Sequence, residues 1–115
     1  MSISDCHCPS LIVSLANEAL AEQSSIQGTY QLSEQINGKL SWKSSTNTIW
    51  YYPVNKGWLI GHVSEIGGNT AWICSVDTEY DCPQLVPKDK WYYVDGLEWK
   101  KAGSNDVSFQ CIGKK

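Results

Sequence analysis

Three sets of residues in this chain have the chemistry to act on or hold something. Cys6-His7-Cys8 places two thiols around an imidazole near the amino terminus. Asp77, Glu79 and Asp81 are three carboxylates at alternate positions, in a stretch bracketed by Cys74 and Cys82. Flat rings form two triplets, Trp50-Tyr51-Tyr52 and Trp91-Tyr92-Tyr93, with Trp58 close behind the first.

Each set points to a definite chemistry. Alternate residues of an extended loop project to one side, so Asp77, Glu79 and Asp81 could surround a calcium ion, although the glycine and distal glutamate of an EF-hand loop are missing. Cys-His-Cys at adjacent positions does not match the Cys-x2–4-Cys spacing that folds around zinc. The sulfurs therefore read as crosslinks. Five cysteines in 115 residues suit an oxidising compartment. The expected pairs are Cys8 with Cys111, tying the first strand to the last, and Cys74 with Cys82, closing a local loop. Cys6 is then left free or bonded to another chain. Two such bridges would stabilise a small fold by about 2–4 kcal/mol each.

Catalytic motifs are sparse. His7 and His62 are the two histidines, and neither sits in a nucleophile motif. Ser14, Ser64 and Ser75 lack the Gly-x-Ser-x-Gly elbow that exposes a serine on a strand-to-helix turn. A thiol enzyme needs an activated cysteine beside a base, which leaves only Cys6 near His7. The expectation is a chain without enzymatic activity.

The aromatic set is the stronger functional signal. Six tryptophans and six tyrosines against one phenylalanine favour rings that carry a polar edge. Such rings stack on the apolar faces of sugars, and a few polar groups beside them set orientation. Trp50, Tyr51, Tyr52, Trp58, Trp91, Tyr92 and Tyr93 are accordingly the expected ligand-binding residues. Alternation along a strand turns the middle ring of each triplet away from its neighbours, so at least one ring per triplet should face outward unless the strand is covered on both sides.

The elements that must position these residues read as consecutive antiparallel strands. The first is expected at 11–15, followed by a loop or short helix over 16–25. Further strands are expected at 28–34, 39–44, 47–52, 57–63, 70–76, 90–94 and 107–112, with a short one at 97–101. Asn37-Gly38 fits a two-residue type I′ turn, because both residues tolerate positive φ. Val54-Asn55-Lys56-Gly57 and Asp95-Gly96 mark further turns. Pro83 and Pro87 keep 77–89 out of a sheet interior, as a surface excursion. The expected fold is all-β: one domain over residues 1–115, an antiparallel sandwich or small barrel of seven to eight strands, disulfide-stabilised, with residues 1–10 as an amino-terminal extension.

The order Gly28-x-Tyr30, Asn37-Gly38, Trp42, Ile49-Trp50-Tyr51 and Trp58-x-Ile60-Gly61 resembles a small Trp/Tyr-rich β-repeat of secreted and multidomain eukaryotic proteins, many from protists and invertebrates. The resemblance covers roughly the middle third of the chain. It implies a compact β-module that decorates larger proteins, and it brings no catalytic motif.

Charge narrows the partners. The net charge is −3 and arginine is absent, whereas phosphate-backbone binding wants a basic stripe. No nucleic-acid partner is expected. No apolar run approaches the roughly 20 residues that cross a bilayer, so no membrane span is expected. Residues 1–20 lack the basic start and apolar segment of a secretory signal, yet the cysteine usage argues for a secreted, extracellular chain whose signal is removed. No Asn-x-Ser/Thr sequon occurs, so N-linked glycosylation is not expected. The expected job is recognition or adhesion with glycans as the leading ligand. The alternative is a structural subunit that self-assembles into an extracellular fibre or matrix, linked through Cys6 and exposed rings.

Overall fold

A computed structural model describes residues 6–76 and 79–113. Its architecture is a single curled antiparallel sheet, an open half-barrel, of nine strands. They are β1 (Ser10–Leu15), β2 (Gly28–Leu32), β3 (Trp42–Lys43), β4 (Asn47–Tyr52), β5 (Gly57–His62), β6 (Ile73–Ser75), β7 (Trp91–Asp95), β8 (Glu98–Lys101) and β9 (Val107–Ile112). One helix, α1 (Asn17–Gln23), lies between β1 and β2. The spatial order is β8-β7-β6-β5-β4-β3-β2-β1-β9. The all-β, antiparallel and disulfide-bonded expectation is met. The strand count is nine rather than seven to eight, because the short strand expected at 97–101 pairs as β8 over four residues, and the strands form one sheet rather than a sandwich.

Topology explains the curl. Eight strands run as a meander in which each pairs with its predecessor, and only β9 returns, to lie beside β1. Right-handed strand twist bends such a sheet toward closure. Curling brings the Phe109 ring of β9 to 5.1 Å from the Trp91 ring of β7. Among the described residues no ladder closes the gap, so β8 and β9 are the edges.

Alternation selects the inner face. Leu11, Val13 and Leu15 of β1, Tyr30 of β2, Ile49 and Tyr51 of β4, Trp58 and Ile60 of β5, and Trp91 and Tyr93 of β7 all join the main core. Trp58 is its centre: its ring lies 6.2 Å from that of Trp42 and meets Tyr51 edge-on at 5.7 Å. Burying rings of this size is what stabilises so small a fold.

Both ends of the half-barrel are covered. At one end α1 crosses from β1 to β7, where Gln23 Nε2 donates to the Val94 carbonyl at 2.7 Å. At the other end lies the segment expected to be a surface excursion. Its middle is instead packed into the core, with Cys82, Pro83 and Val86 buried and the Tyr80 carbonyl accepting the Trp58 indole N–H at 3.0 Å. Glu79 and Pro87 to Asp89 are exposed, and 77–78 lie outside the described residues. The prolines do keep it out of the ladder, as two short 3-10 turns at Pro83–Leu85 and Lys88–Lys90.

The disulfides sit at that second end. Cys8 bonds Cys111 as expected. Cys6, expected to be free or intermolecular, bonds Cys82 instead, and Cys74 is the free, buried thiol. Strand alternation is the reason. In β6, Ile73 points into the core, so Cys74 points to the outer face, away from Cys82, which is packed inside. The expected amino-terminal extension is therefore anchored from Cys6 onward.

The turns follow the dipeptides. Asn37 (φ 55°) and Gly38 (φ 87°) form a two-residue turn, with reciprocal Ile36–Lys39 backbone hydrogen bonds at 2.9 and 3.2 Å. That turn sits within the long 33–41 connection between β2 and β3, which shortens both strands relative to the expected 28–34 and 39–44.

One polar clamp joins β9 to the start of α1. Asp106, buried, accepts from Asn17 Nδ2 at 2.7 Å through one carboxylate oxygen and from the Gly103 N–H at 2.9 Å through the other. Its backbone carbonyl takes the Ala16 N–H at 3.0 Å. Asp106→Ala leaves the Asn17 amide and Gly103 N–H without that acceptor and is expected to destabilise the fold by about 2–3 kcal/mol in urea denaturation. A change under 0.5 kcal/mol would show that the clamp is ornamental.

Candidate binding surface

Five of the seven rings expected on a surface are in the core. Trp50, Tyr51, Trp58, Trp91 and Tyr93 are all buried, and only Tyr52 and Tyr92 keep part of their surface. Tyr51, Trp58, Trp91 and Tyr93 belong to the inner face, and of the five Trp50 alone is buried on the outer face; β4, β5 and β6 carry buried residues on both sides. Their inner face carries the main core. Their outer face carries a second cluster, Trp50, Leu59, Ala71 and Cys74, flanked by Ile36, Tyr52, Val76 and Tyr92. The connection after β5 folds back over Trp50, whose indole N–H donates to the Gly68 carbonyl at 3.1 Å. Trp42 does the same to the Cys8 carbonyl at 2.8 Å. The polar edge that suggested ligand contact is used three times, by Trp42, Trp50 and Trp58, to pin the chain's own irregular segments.

What stays open is a groove on the outer face. Leu59 pairs with Cys74, Cys74 with Tyr92, and Val94 with Trp99, so these side chains share one side of β5 to β8. The groove measures about 360 Å3 and is lined by Leu59, Cys74, Val76, Tyr92 and Trp99, with the amides of Asn55 and Asn69 at its margin. Trp99 is 47% exposed although it lies mid-strand. None of the lining residues is charged. Burial pushes the Cys74 thiol up to about 12, so at neutral pH the groove floor holds a neutral, unreactive sulfhydryl.

Trp99, Asn55 and Asn69 were not singled out from sequence. A signal for Trp99 existed: a lone tryptophan among Glu98, Lys100 and Lys101 sits on a strand whose other residues are exposed.

The other candidates disperse. Asp81 pairs with Lys39 at 3.0 Å and Glu79 with Lys56 at 3.2 Å, while Asp77 lies outside the described residues. Among the described residues no three of histidine, cysteine, aspartate and glutamate gather at metal-binding distance. Lys39 also lies over the Tyr51 ring at 4.9 Å, so Asp81 anchors a cation that locks the end segment to the core. Cys6 is oxidised, which removes the thiol expected beside His7. His62 Nδ1 accepts the Ser64 N–H at 3.1 Å and lies 2.9 Å from Ser64 Oγ, capping the 3-10 turn Val63–Glu65. Among the described residues no helix is long and apolar enough to cross a membrane.

No protein-family model, curated protein or solved structure matches this chain.

Proposed function

We propose that this chain is a non-catalytic recognition module, secreted into an oxidising environment, that binds uncharged glycan through the outer-face groove. The observation that carries the reading is the groove's composition: Tyr92 and Trp99 offer ring faces, Asn55 and Asn69 offer donors and acceptors, and none of the described residues lining it is charged. The two disulfides support an extracellular setting, since such bonds persist where thiols are oxidised. The likeness to secreted Trp/Tyr-rich β-repeats fits the same picture of a module that decorates a larger protein.

A glycan array probed with the native chain and with Trp99→Ala and Tyr92→Ala tests this. Each substitution is expected to weaken binding about tenfold, the loss of one stacking contact of roughly 1.4 kcal/mol. Trp99 is half exposed, so its variant should melt like the parent. Binding to no sugar at all would end the proposal.

Two unpaired edges, β8 and β9, favour a second reading as a self-assembling fibre or matrix subunit. Cys6 cannot supply its covalent link, being bonded to Cys82. Assembly would have to run through strand edges, and on β8 Glu98, Lys100 and Lys101 oppose it. Sedimentation velocity over a hundredfold concentration range separates the two, with a monomer expected throughout for the recognition module.

A further inference from the structure

Trp72 differs from every tryptophan that pins a loop. It is 42% exposed, and among the described residues its indole N–H has no hydrogen-bond partner. It stands at the end of the sheet where β5 finishes at His62, β4 begins at Asn47 and α1 crosses toward β7. Two hollows meet there, and both are bordered by Trp72 and His62. One, of about 260 Å3, also takes in Ser64, Glu65 and Thr70. The other, of about 550 Å3, reaches Glu22, Gln23, Thr46 and Asn47. Neither shares a lining residue with the outer-face groove.

Charge selects the occupant. Each hollow holds one carboxylate, Glu65 in the first and Glu22 in the second, and no lysine lines either. Beside Glu22 stands Asp95, whose charge and side-chain hydrogen bond raise the Glu22 pKa, and Lys100 is held by Asp95 at 2.9 Å. His62 Nδ1 accepts the Ser64 N–H at 3.1 Å, which turns that edge of the ring to the 3-10 turn. An open indole face attracts cations more strongly than any other aromatic ring, through its quadrupole. Flanking carboxylates add to that attraction, and they would repel an anionic ligand.

We propose that this rim is a second binding site, for an organic cation: an alkylammonium group set against the Trp72 ring with Glu22 and Glu65 as counter-charges. The site does not depend on the glycan reading. Failure of the glycan array would leave it standing, because Trp99 and Tyr92 are not part of it.

The probes are choline, n-butylammonium and 3,3-dimethylbutan-1-ol, the last a neutral carbon analogue of choline. Each is titrated into the native chain while the six indole N–H signals are followed by 1H–15N NMR, with Trp72→Phe identifying the signal of interest. At least one cation is expected to shift the Trp72 signal saturably, with a dissociation constant on the order of millimolar for one exposed cation–ring contact. The neutral analogue should bind at least tenfold more weakly. In Trp72→Ala, where the indole signal is gone, affinity is read from the backbone amides of His62, Glu65 and Thr70 in the same spectra, and their cation-induced shifts should be lost. Glu22→Gln with Glu65→Gln should reduce affinity about tenfold together. Tighter binding of choline assigns the natural ligand to quaternary ammonium groups, and tighter binding of butylammonium assigns it to primary amines. Absence of a saturable shift with both cations overturns the proposal. So does equal binding of the neutral analogue, or unchanged affinity in Trp72→Ala with the remaining indole signals at their native positions.

Discussion

Gly57→Ala is expected to cost about 3 kcal/mol or more. Gly57 opens β5 opposite Tyr52, and there β6 crosses close to it. A Cβ at this position would land on the Ser75 carbonyl oxygen, 2.7 Å from the carbonyl carbon and 3.3 Å from Val76 Cα. All of these are backbone atoms, so no side chain can swing aside to make room. Relief requires β5 and β6 to part. That separation would pull Ser75 Oγ from the Trp58 N–H, which it accepts at 2.9 Å, and Trp58 holds the middle of the core. Overpacking against rigid neighbours typically costs about 1–3 kcal/mol, and the loss of this hydrogen bond and core packing adds to it. Gly61→Ala is the internal comparison. Its Cβ would meet Ala71 Cα and the Thr70 carbonyl oxygen at 3.1 Å and Trp50 Cη2 at 3.2 Å, contacts that a small loop shift relieves. Urea denaturation should rank Gly57→Ala well below Gly61→Ala. The reverse order would show that β5 and β6 are not packed this closely.

Removing the disulfides is expected to have the second large effect. Cys6–Cys82 spans 76 residues and Cys8–Cys111 spans 103. Loops of that length remove much unfolded-state entropy, about 3–5 kcal/mol for each bridge in the chain-entropy description. The two effects will not add fully, because both bridges hold the same short amino-terminal segment. The double variants Cys6→Ser/Cys82→Ser and Cys8→Ser/Cys111→Ser should each lower the melting temperature by more than 10 °C, given several degrees per kcal/mol for a chain of this size. Loss of both should unfold the protein at 37 °C, since total stability of a domain is only about 5–15 kcal/mol. Cys74→Ala should leave the melting temperature within a few degrees of the parent. Peptide mapping under non-reducing conditions provides the direct check: a Cys74–Cys82 peptide would contradict the observed pairing, and melting unaffected by reductant would contradict its energetic weight.

Taken together, these expectations describe a chain whose aromatic residues do two kinds of work. Trp42, Trp50 and Trp58 are buried and hydrogen-bonded to loop carbonyls, so they convert irregular connections into fixed structure. Tyr92, Trp99 and Trp72 border open grooves. The division tracks covering segments rather than residue type. Trp50 and Trp99 both lie on the outer face of the sheet, yet the segment after β5 closes over Trp50 and nothing described covers Trp99.

Local pattern alone determined the all-β class, the Asn37-Gly38 and Asp95-Gly96 turns, and most strand positions, because side-chain alternation and positive-φ preference act between near neighbours. The Cys8–Cys111 bridge was also legible, from the expectation that the first strand lies beside the last. Three matters were decided by tertiary structure. Cys6 rather than Cys74 reached Cys82, because alternation in β6 sends Cys74 to the outer face while Cys82 turns inward. Five of the seven proposed binding rings were buried: Tyr51, Trp58, Trp91 and Tyr93 because the curled sheet closes its inner face around them, and Trp50 because the segment after β5 covers it on the outer face. The grooves at Trp99 and Trp72 were left open for the same reason in reverse. Period-two alternation states which side chains share a face, but which face is covered depends on where the rest of the chain packs.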